Sequence, residues 1–471
     1  MPQTMPPGPS PGERLLLRNA NLVDVNRGTL FPQTALSMKD GRIEALLHES
    51  EARSVTGGAV LDLSGRYVIP GFINAHCHIS LPGGFGLTLR VVTRYRRQIA
   101  RNAERCIENG VTTVRDMMAL GGFVGALKKD IVAGRIKGPR ILTCTGVDVP
   151  RGYGRQIAAF PNPRIFRAAE TPAQAVRAVN EALDAGADFI KIFAQKTEHF
   201  MPGRELPQMP LPAMAAACET AEKRGSYAAL HQTALYGLAK GLAAGVRSFE
   251  HVPGDGLIPD ADMARLLSSG ATVVPTLTVP LSLGFEMPGD PSWGKGRTLE
   301  FANRRKEVLP GLLAEFCDPK LLPAARKLLA MLSVPENYVR YRRFKFFCPL
   351  TITAEAVWGV ENLLALHRAG VPLGMGNDGG IPLIFPGALA LEMALWEELG
   401  VPAPAVLKAA TAGGARAAAM TDRIGSIAPG MIADLAVLPR NPLESVKNAG
   451  RPALVFQEGR LVHGAASGSE Q

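Results

Sequence analysis

Short apolar runs recur along most of the chain, each followed by a longer stretch whose apolar residues return at helical spacing. The runs are FINAH (72–76), TTVRD (112–116), RILTCTG (140–146), DFIKIFA (188–194), SYAALH (226–231), RSFEH (247–251), ATVVPTL (271–277) and VPLGMGND (371–378). Segments such as AAETPAQAVRAVNEALDAGA (168–187) separate them. Eight strands alternating with helices predict an α/β fold, a parallel sheet closed into a (β/α)8 TIM barrel. The interval between the last two strands is long. Its run LLPAARKLLAMLSVPENYVRYRRFKFF (321–347) predicts extra helices and a lid over the barrel mouth. Arg340, Arg342, Arg343 and Lys345 there read as a solvated helix face, with contact to an anionic substrate as the alternative.

The two ends of the chain follow a different rhythm. LLLRNANLVDV (15–25) and ALSMKDGRIEALL (35–47) are strand text, and Asp40-Gly41 between apolar runs is a hairpin signal. ALVFQEGRLVHG (453–464) repeats the shape with Glu458-Gly459 at the turn. These pieces predict a small composite β-sandwich domain from residues 14–68 and 425–464, with the barrel inserted as 69–424. Residues 1–13, MPQTMPPGPSPGE, read as a disordered Pro/Gly-rich tail, and 465–471 as a second tail.

Composition narrows the function classes. A 471-residue chain with 46% hydrophobic and 20% charged residues has the makings of a well-cored globular protein. Its net charge of +10 is dispersed, and the densest run is Arg90, Arg94, Arg97, Arg101 and Arg105 along one helical stripe. Only Tyr95 offers a stacking aromatic there, and no nucleic-acid motif is present, so the basic balance points away from nucleic acid. The six cysteines are scattered without a C-x-x-C, which fits a reducing compartment. No signal-peptide core and no membrane-spanning apolar run is found. A cytoplasmic homo-oligomer acting on a small molecule, with no membrane partner, is the expectation.

The chemistry lies at the strand ends. In VIPGFINAHCHIS (68–80), His76 and His78 are two apart on a strand and so point the same way, with Cys77 turned away. Two convergent imidazoles suit a first-row cation such as zinc. Catalytic groups of (β/α)8 barrels gather at the C-terminal ends of the strands. The later runs carry Lys191, His231, His251 and Asp378 at or near such ends. The other histidines (His48, His199, His367, His463) fall in terminal, loop or helical text and receive no role. Lys191 shares a strand face with Phe189 and Phe193, where an ammonium is costly. Two readings stay open. A buried lysine can be the free amine, which adds carbon dioxide to give a carbamate able to bridge two metal ions. Alternatively, it pairs with a carboxylate at the barrel mouth.

Together these residues resemble the amidohydrolase superfamily over roughly residues 14 to 464. VIPGFINAHCH, GVTTVRD (110–116), FEH and the closing TAGGARAAAMTDRIGSIAPGMIADLAVLPRNPL (411–443) also look like that family. The resemblance implies two divalent ions, zinc in the first instance. One would be held by His76, His78 and Asp378, the other by His231 and His251, with carboxylated Lys191 bridging. It also gives Asp378 the catalytic proton transfer. The context is most similar to prolidase-like and imidazolonepropionase-related members. Imidazolonepropionase itself uses one metal and lacks the bridging lysine, so Lys191 stands against that activity. The chain departs from the prolidase-like pattern at His231-Gln232-Thr233, Arg151-Gly152-Tyr153-Gly154 and Gly376-Asn377-Asp378. Tyr153 and Thr233 occupy positions that touch substrate in such enzymes. The implied activity is metal-dependent hydrolysis of an amide bond in a dipeptide or N-acyl amino acid. The alternatives are a mononuclear deaminase or cyclic-imide hydrolase, lactone or phosphotriester hydrolysis, and, last, a non-catalytic barrel scaffold. No Gly-rich phosphate loop supports a nucleotide-dependent enzyme.

Overall fold

The computed structural model describes residues 12–464, apart from 56, 84–88, 119–121, 158–164, 197–204, 284–295 and 333–349. Most of the N-terminal tail, all of the C-terminal one and the cluster Arg340, Arg342, Arg343 and Lys345 therefore lie outside the described residues.

The chain opens with β1 (Arg14–Asp24), β2 (Thr29–Lys39), β3 (Arg42–His48), β4 (Ala59–Asp62) and β5 (Tyr67–Pro70). The barrel strands follow: β6 (Phe72–Cys77), β7 (Val111–Asp116), β8 (Arg140–Asp148), the short β9 (Phe166–Ala168), β10 (Phe189–Phe193), β11 (Ala228–His231), β12 (Ser248–Glu250) and β13 (Thr272–Val274). Last come β14 (Leu435–Leu438), β15 (Leu454–Gln457) and β16 (Arg460–His463).

Both ends of the chain feed one mixed sheet in the order β16-β15-β14-β5-β1-β2-β3, with β4 paired to β1. Leu17, Leu22, Leu36 and Val68 from the first part pack with Leu435, Val437 and Phe456 from the last. The two hairpin turns meet. Asp40 (φ 48°) and Gly41 (φ 76°), like Glu458 (φ 50°) and Gly459 (φ 71°), take the paired positive φ values that a two-residue turn of this hand requires. Ala433 N–H donates to Gly41 O at 2.9 Å and its carbonyl accepts from Gly459 N at 2.9 Å, so one residue ties both turns together.

The barrel sheet runs β6-β7-β8-β10-β11-β12-β13, all parallel, with β9 added beside β8. The eighth stave, 371–379, forms isolated bridges rather than a regular strand, Val273 with Leu373 and Cys77 with Gly379. It nevertheless closes the ring. Val273 N donates to Pro372 O (3.0 Å) and Gly374 N to Val273 O (2.9 Å), while Ala75 N donates to Met375 O (2.8 Å) and Asp378 N to His76 O (2.9 Å). Two causes interrupt regular pairing here. Pro372 has no N–H to give, and Gly376 approaches β6 so closely that a Cβ would lie 2.5 Å from His76 Cβ.

Helices cover the outside as their apolar spacing predicts. In Pro172–Asp184 the buried residues are Ala175, Ala178, Val179 and Ala182, and Thr171 with Gln174 forms a capping box at its start. The interval before the eighth stave does contain extra helices, Gly296–Phe316 and Leu322–Leu332, which pack on Leu383 and Phe385. The arginine stripe on helix Leu89–Glu108 is only partly a solvated face. Arg97 is exposed, but Arg101 donates to the carbonyls of Glu315 (2.6 Å) and Phe316 (3.1 Å), the end of a neighbouring helix. Among the described residues no helix is long and apolar enough to cross a membrane.

Candidate metal centre

The closing stave brings the ends of the chain's first and last barrel segments together. Asp378 Oδ1 lies 3.1 Å from His78 Nε2 and 3.3 Å from His76 Nε2. Donor atoms of His76, His78 and Asp378 all fall within 4.8 Å of one another. The imidazole rings continue as a chain. His76 is 4.7 Å from His251 and His251 is 4.8 Å from His231, centroid to centroid. Tyr153 then stacks on His231 at 4.6 Å and 14°. The structure thus gathers all four strand-end histidines and Asp378 at one end of the barrel. His48, His367 and His463 sit in other elements, and His199 lies outside the described residues.

Each imidazole is fixed from behind, which decides which nitrogen faces the centre. His76 Nδ1 is 2.8 Å from Glu250 Oε2, and His78 Nδ1 is 3.2 Å from Met118 O. An acceptor on Nδ1 keeps the proton there and leaves the lone pair on Nε2, the atom turned to Asp378. His251 Nδ1 is held at 2.7 Å by Thr276 Oγ1. Burial, with His76 alongside, pushes the His251 imidazole well below its ordinary value, so it stays neutral. Burial alone would raise the Asp378 carboxyl, but His76 and His78 outweigh it and hold the group well below the usual carboxylate range. His251 (φ 67°) and Asp378 (φ 53°) both occupy the left-handed region, which costs side-chain-bearing residues energy and is retained where the surrounding structure demands it.

Sequence reasoning passed over the groups that build this support. Glu250 and Arg115 lie inside the quoted stretches FEH and GVTTVRD, yet received no role. Arg115 is buried and donates to Glu250 Oε1 at 2.6 Å, to Ala75 O at 2.6 Å and to Ala417 O at 2.5 Å. Ser248 adds a hydroxyl to Glu250 Oε1 at 2.7 Å. Asn377, the departure before Asp378, turns away from the centre. It accepts from Asn74 Nδ2 at 2.7 Å and donates to Phe385 O at 2.9 Å, which locks β6 to the closing stave. The period-2 alternation that places Lys191 inward also places Ser248 and Glu250 on one face, and that was the available signal.

Lys191 is buried between Phe189 and Phe193 with its Nζ 3.8 Å from Met117 Sδ. Among the described residues no carboxylate forms an ion pair with it. Burial lowers its amine to about 8, with Glu250 opposing the shift. Thr233 is buried and donates its hydroxyl to Gln195 Oε1 at 2.9 Å.

These residues fit a divalent cation. Asp378 Oδ1 is buried and accepts no hydrogen bond of ordinary geometry, although two imidazole nitrogens face it. One carboxylate oxygen and two imidazole nitrogens converging in a largely buried site are the hard-to-borderline donor set such ions take.

The amidohydrolase family model matches residues 67–462, and the chain belongs to that family. An imidazolonepropionase from Symbiobacterium thermophilum is 30% identical over 161 residues, 33% of this chain and 34% of that protein. Other curated relatives are matched over still less of their length, 18% and 26% in two cases. Among solved structures, a Xaa-Pro dipeptidase with methionine bound in its active site superposes with a TM-score of 0.71 at 20% identity, over 96% of this chain and 100% of that one. A protein described as a prolidase from Bifidobacterium longum gives 0.66 at 26% identity, over 96% and 95%.

Proposed function

We propose that this chain is a metal-dependent hydrolase that cleaves an amide (C–N) bond in a small molecule, a dipeptide or N-acyl amino acid. The observation that carries the reading is the unbroken run His78–His76–His251–His231 with Asp378 against its first two members. Under this reading His76, His78 and Asp378 hold one divalent ion, His231 and His251 a second, and carboxylated Lys191 lies between them. Zinc is the metal of choice for such a donor set. Bound there, the metal supplies Lewis acidity that brings a water molecule's pKa toward neutrality and polarises the carbonyl. The chain's own residues do the rest. Asp378 accepts the proton of the attacking water and returns it to the leaving nitrogen. Glu250 and Thr276 keep two imidazoles in the ligating tautomer. Tyr153, stacked on His231, and Thr233 border the place where substrate would sit.

The family match and the prolidase-like neighbours support the reaction class, and the burial of Lys191 without an ion pair among the described residues supports its modification. A second reading has its own observation. Only His76, His78 and Asp378 form a compact three-donor group among the described residues, which favours one ion and a mononuclear amidase or deaminase. Metal analysis of purified protein separates the two: two ions per chain sustains the first reading, one sustains the second. Turnover of dipeptides or N-acyl amino acids by the metal-loaded protein tests the substrate class. Activity confined to lactones, phosphotriesters or amino-purines overturns it.

A further inference from the structure

The closing stave is followed by helix Leu389–Glu398, whose Glu392 is fully buried and forms no ion pair among the described residues. All of its acceptor capacity is directed at one turn and one indole. Oε1 accepts from Leu277 N at 2.8 Å and from Trp396 Nε1 at 2.7 Å, and Oε2 accepts from Thr278 N at 2.7 Å. That turn, 276–278, touches one member of the candidate centre and the residue that precedes another. Thr276, held at φ 55°, presents Oγ1 to His251 Nδ1 at 2.7 Å. Thr278 donates its hydroxyl to Asn377 O at 2.8 Å, the carbonyl immediately before Asp378. A single carboxylate therefore sits behind both.

We propose that Glu392 is a positioning residue that fixes the turn 276–278 and, through it, the ring of His251 and the backbone that presents Asp378. The inference rests on the metal-centre reading above for its functional meaning. The chemistry demands a carboxylate specifically. Both oxygens face N–H donors, so a Gln at this position turns its own NH2 against Thr278 N–H in one orientation, and against Leu277 N–H and the indole in the other. Either way a donor meets a donor and the turn must shift. Burial without a countercharge pushes this carboxyl up to about 7, and the N–H groups of Trp396, Leu277 and Thr278 oppose that rise only in part, each needing an acceptor in place of water. Trp396 contributes to that solvation, but among the described residues its indole donates to Glu392 and to no atom of the turn, which provides an internal control.

The test compares Glu392→Gln and Trp396→Phe with the parent chain at matched folded populations. Both variants lose a hydrogen bond to the same carboxylate environment, so both lose stability in thermal unfolding. Only Glu392→Gln is expected to weaken divalent-metal affinity, by roughly 10- to 100-fold in chelator competition with zinc, and to lower kcat with KM little changed. In metal-free protein with 15N-labelled histidine, the His251 Nδ1 signal should move toward a mixed tautomer in Glu392→Gln and stay put in Trp396→Phe. Thr276→Val should reproduce the His251 change. Equal metal affinity in Glu392→Gln and the parent, or equal losses in the two variants, overturns the inference. A parent chain that takes up no divalent metal sinks the metal-centre reading instead. The His251 signal then still decides, since an unchanged tautomer in Glu392→Gln ends the positioning role.

Discussion

Glu250 Oε2 lies 2.8 Å from His76 Nδ1 while its other oxygen receives Arg115 at 2.6 Å, in a pair with no solvent contact. Burial would raise this carboxyl, but Arg115, Lys191 and His76 pull it well below its usual range. Glu250 is thus an anion at every working pH, and it keeps the His76 proton on Nδ1. Replacing Glu250 by Gln removes the charge that both partners were arranged around. Chelator competition should show metal affinity down by roughly 10- to 100-fold. Stability should fall too, by about 3–5 kcal/mol, because Arg115 is left buried without its counter-ion. A Glu250→Gln variant with parental metal affinity would remove Glu250 from the support of the centre.

Gly376 makes a steric prediction at the same place. A Cβ there would stand 2.5 Å from His76 Cβ and 2.6 Å from His76 N, and backbone cannot yield as a flexible side chain can. Gly376→Ala should therefore push the closing stave off β6 and carry Asp378 away from His76. The expected outcome is a folded chain with a lower unfolding midpoint and a loss of metal greater than the loss of stability predicts. Full metal content in this variant would show that the stave can shift without disturbing the donors.

Much of this arrangement could be read from the chain before any coordinates. The strand-end positions of His76, His78, Lys191, His231, His251 and Asp378 follow from period-2 alternation and from where a parallel barrel puts its strand ends. The DG and EG turns announced the two hairpins for a local reason, paired positive φ at adjacent residues. The supporting polar groups were not legible, because each finds its partner far along the chain. Asn74 meets Asn377 across 303 positions, Arg115 meets Glu250 across 135, and Glu392 reaches Leu277 across 115. No local pattern distinguishes such a residue from any other polar residue in a strand or helix. The eighth stave was legible as a segment but not as an interrupted one, since the closeness of Gly376 to His76 exists only once the ring is closed.

Lys191 separates the two metal readings. Its Nζ is buried 3.8 Å from the Met117 sulfur and forms no ion pair among the described residues, so a permanent ammonium there would have only the longer-range attraction of Glu250 and Asp378 to offset its burial. Lys191→Ala should leave a stable barrel, since removing such a charge relieves a burial cost even as it opens a cavity. Under the two-ion reading the variant binds about one ion fewer per chain and loses most of its turnover. Intact-protein mass spectrometry of the parent under native conditions should show an adduct of one carbon dioxide that the variant lacks. Unchanged metal content together with unchanged turnover would end the bridging role.

Asp148, at the end of β8, sets a pH dependence away from the metal donors. Its oxygens accept from Val149 N at 2.8 Å and Gly154 N at 2.9 Å, which pins the turn that delivers Tyr153 onto His231. Burial pushes the carboxyl up to about 7, with Lys240 and the two backbone donors only partly opposing it. In the unfolded chain it titrates near the ordinary value of 3.8. The folded state therefore holds a proton that the unfolded state has lost across the window between those two values. Its contribution is greatest below the lower value and declines as pH rises toward the upper one. Between about pH 5 and about pH 8 the loss from this group amounts to roughly 2–3 kcal/mol. Asp148→Asn lacks the titration and sacrifices one acceptor, so it should be the less stable protein at the acidic end. The gap should then close or reverse at the alkaline end, because only the parent loses stability there from this position. Urea unfolding of both proteins at the two pH values measures it, the difference between them cancelling the contributions of every other group, Glu392 included. A constant difference at both pH values would show that Asp148 is ionised throughout and that the turn carrying Tyr153 rests on a charged, not a protonated, carboxylate.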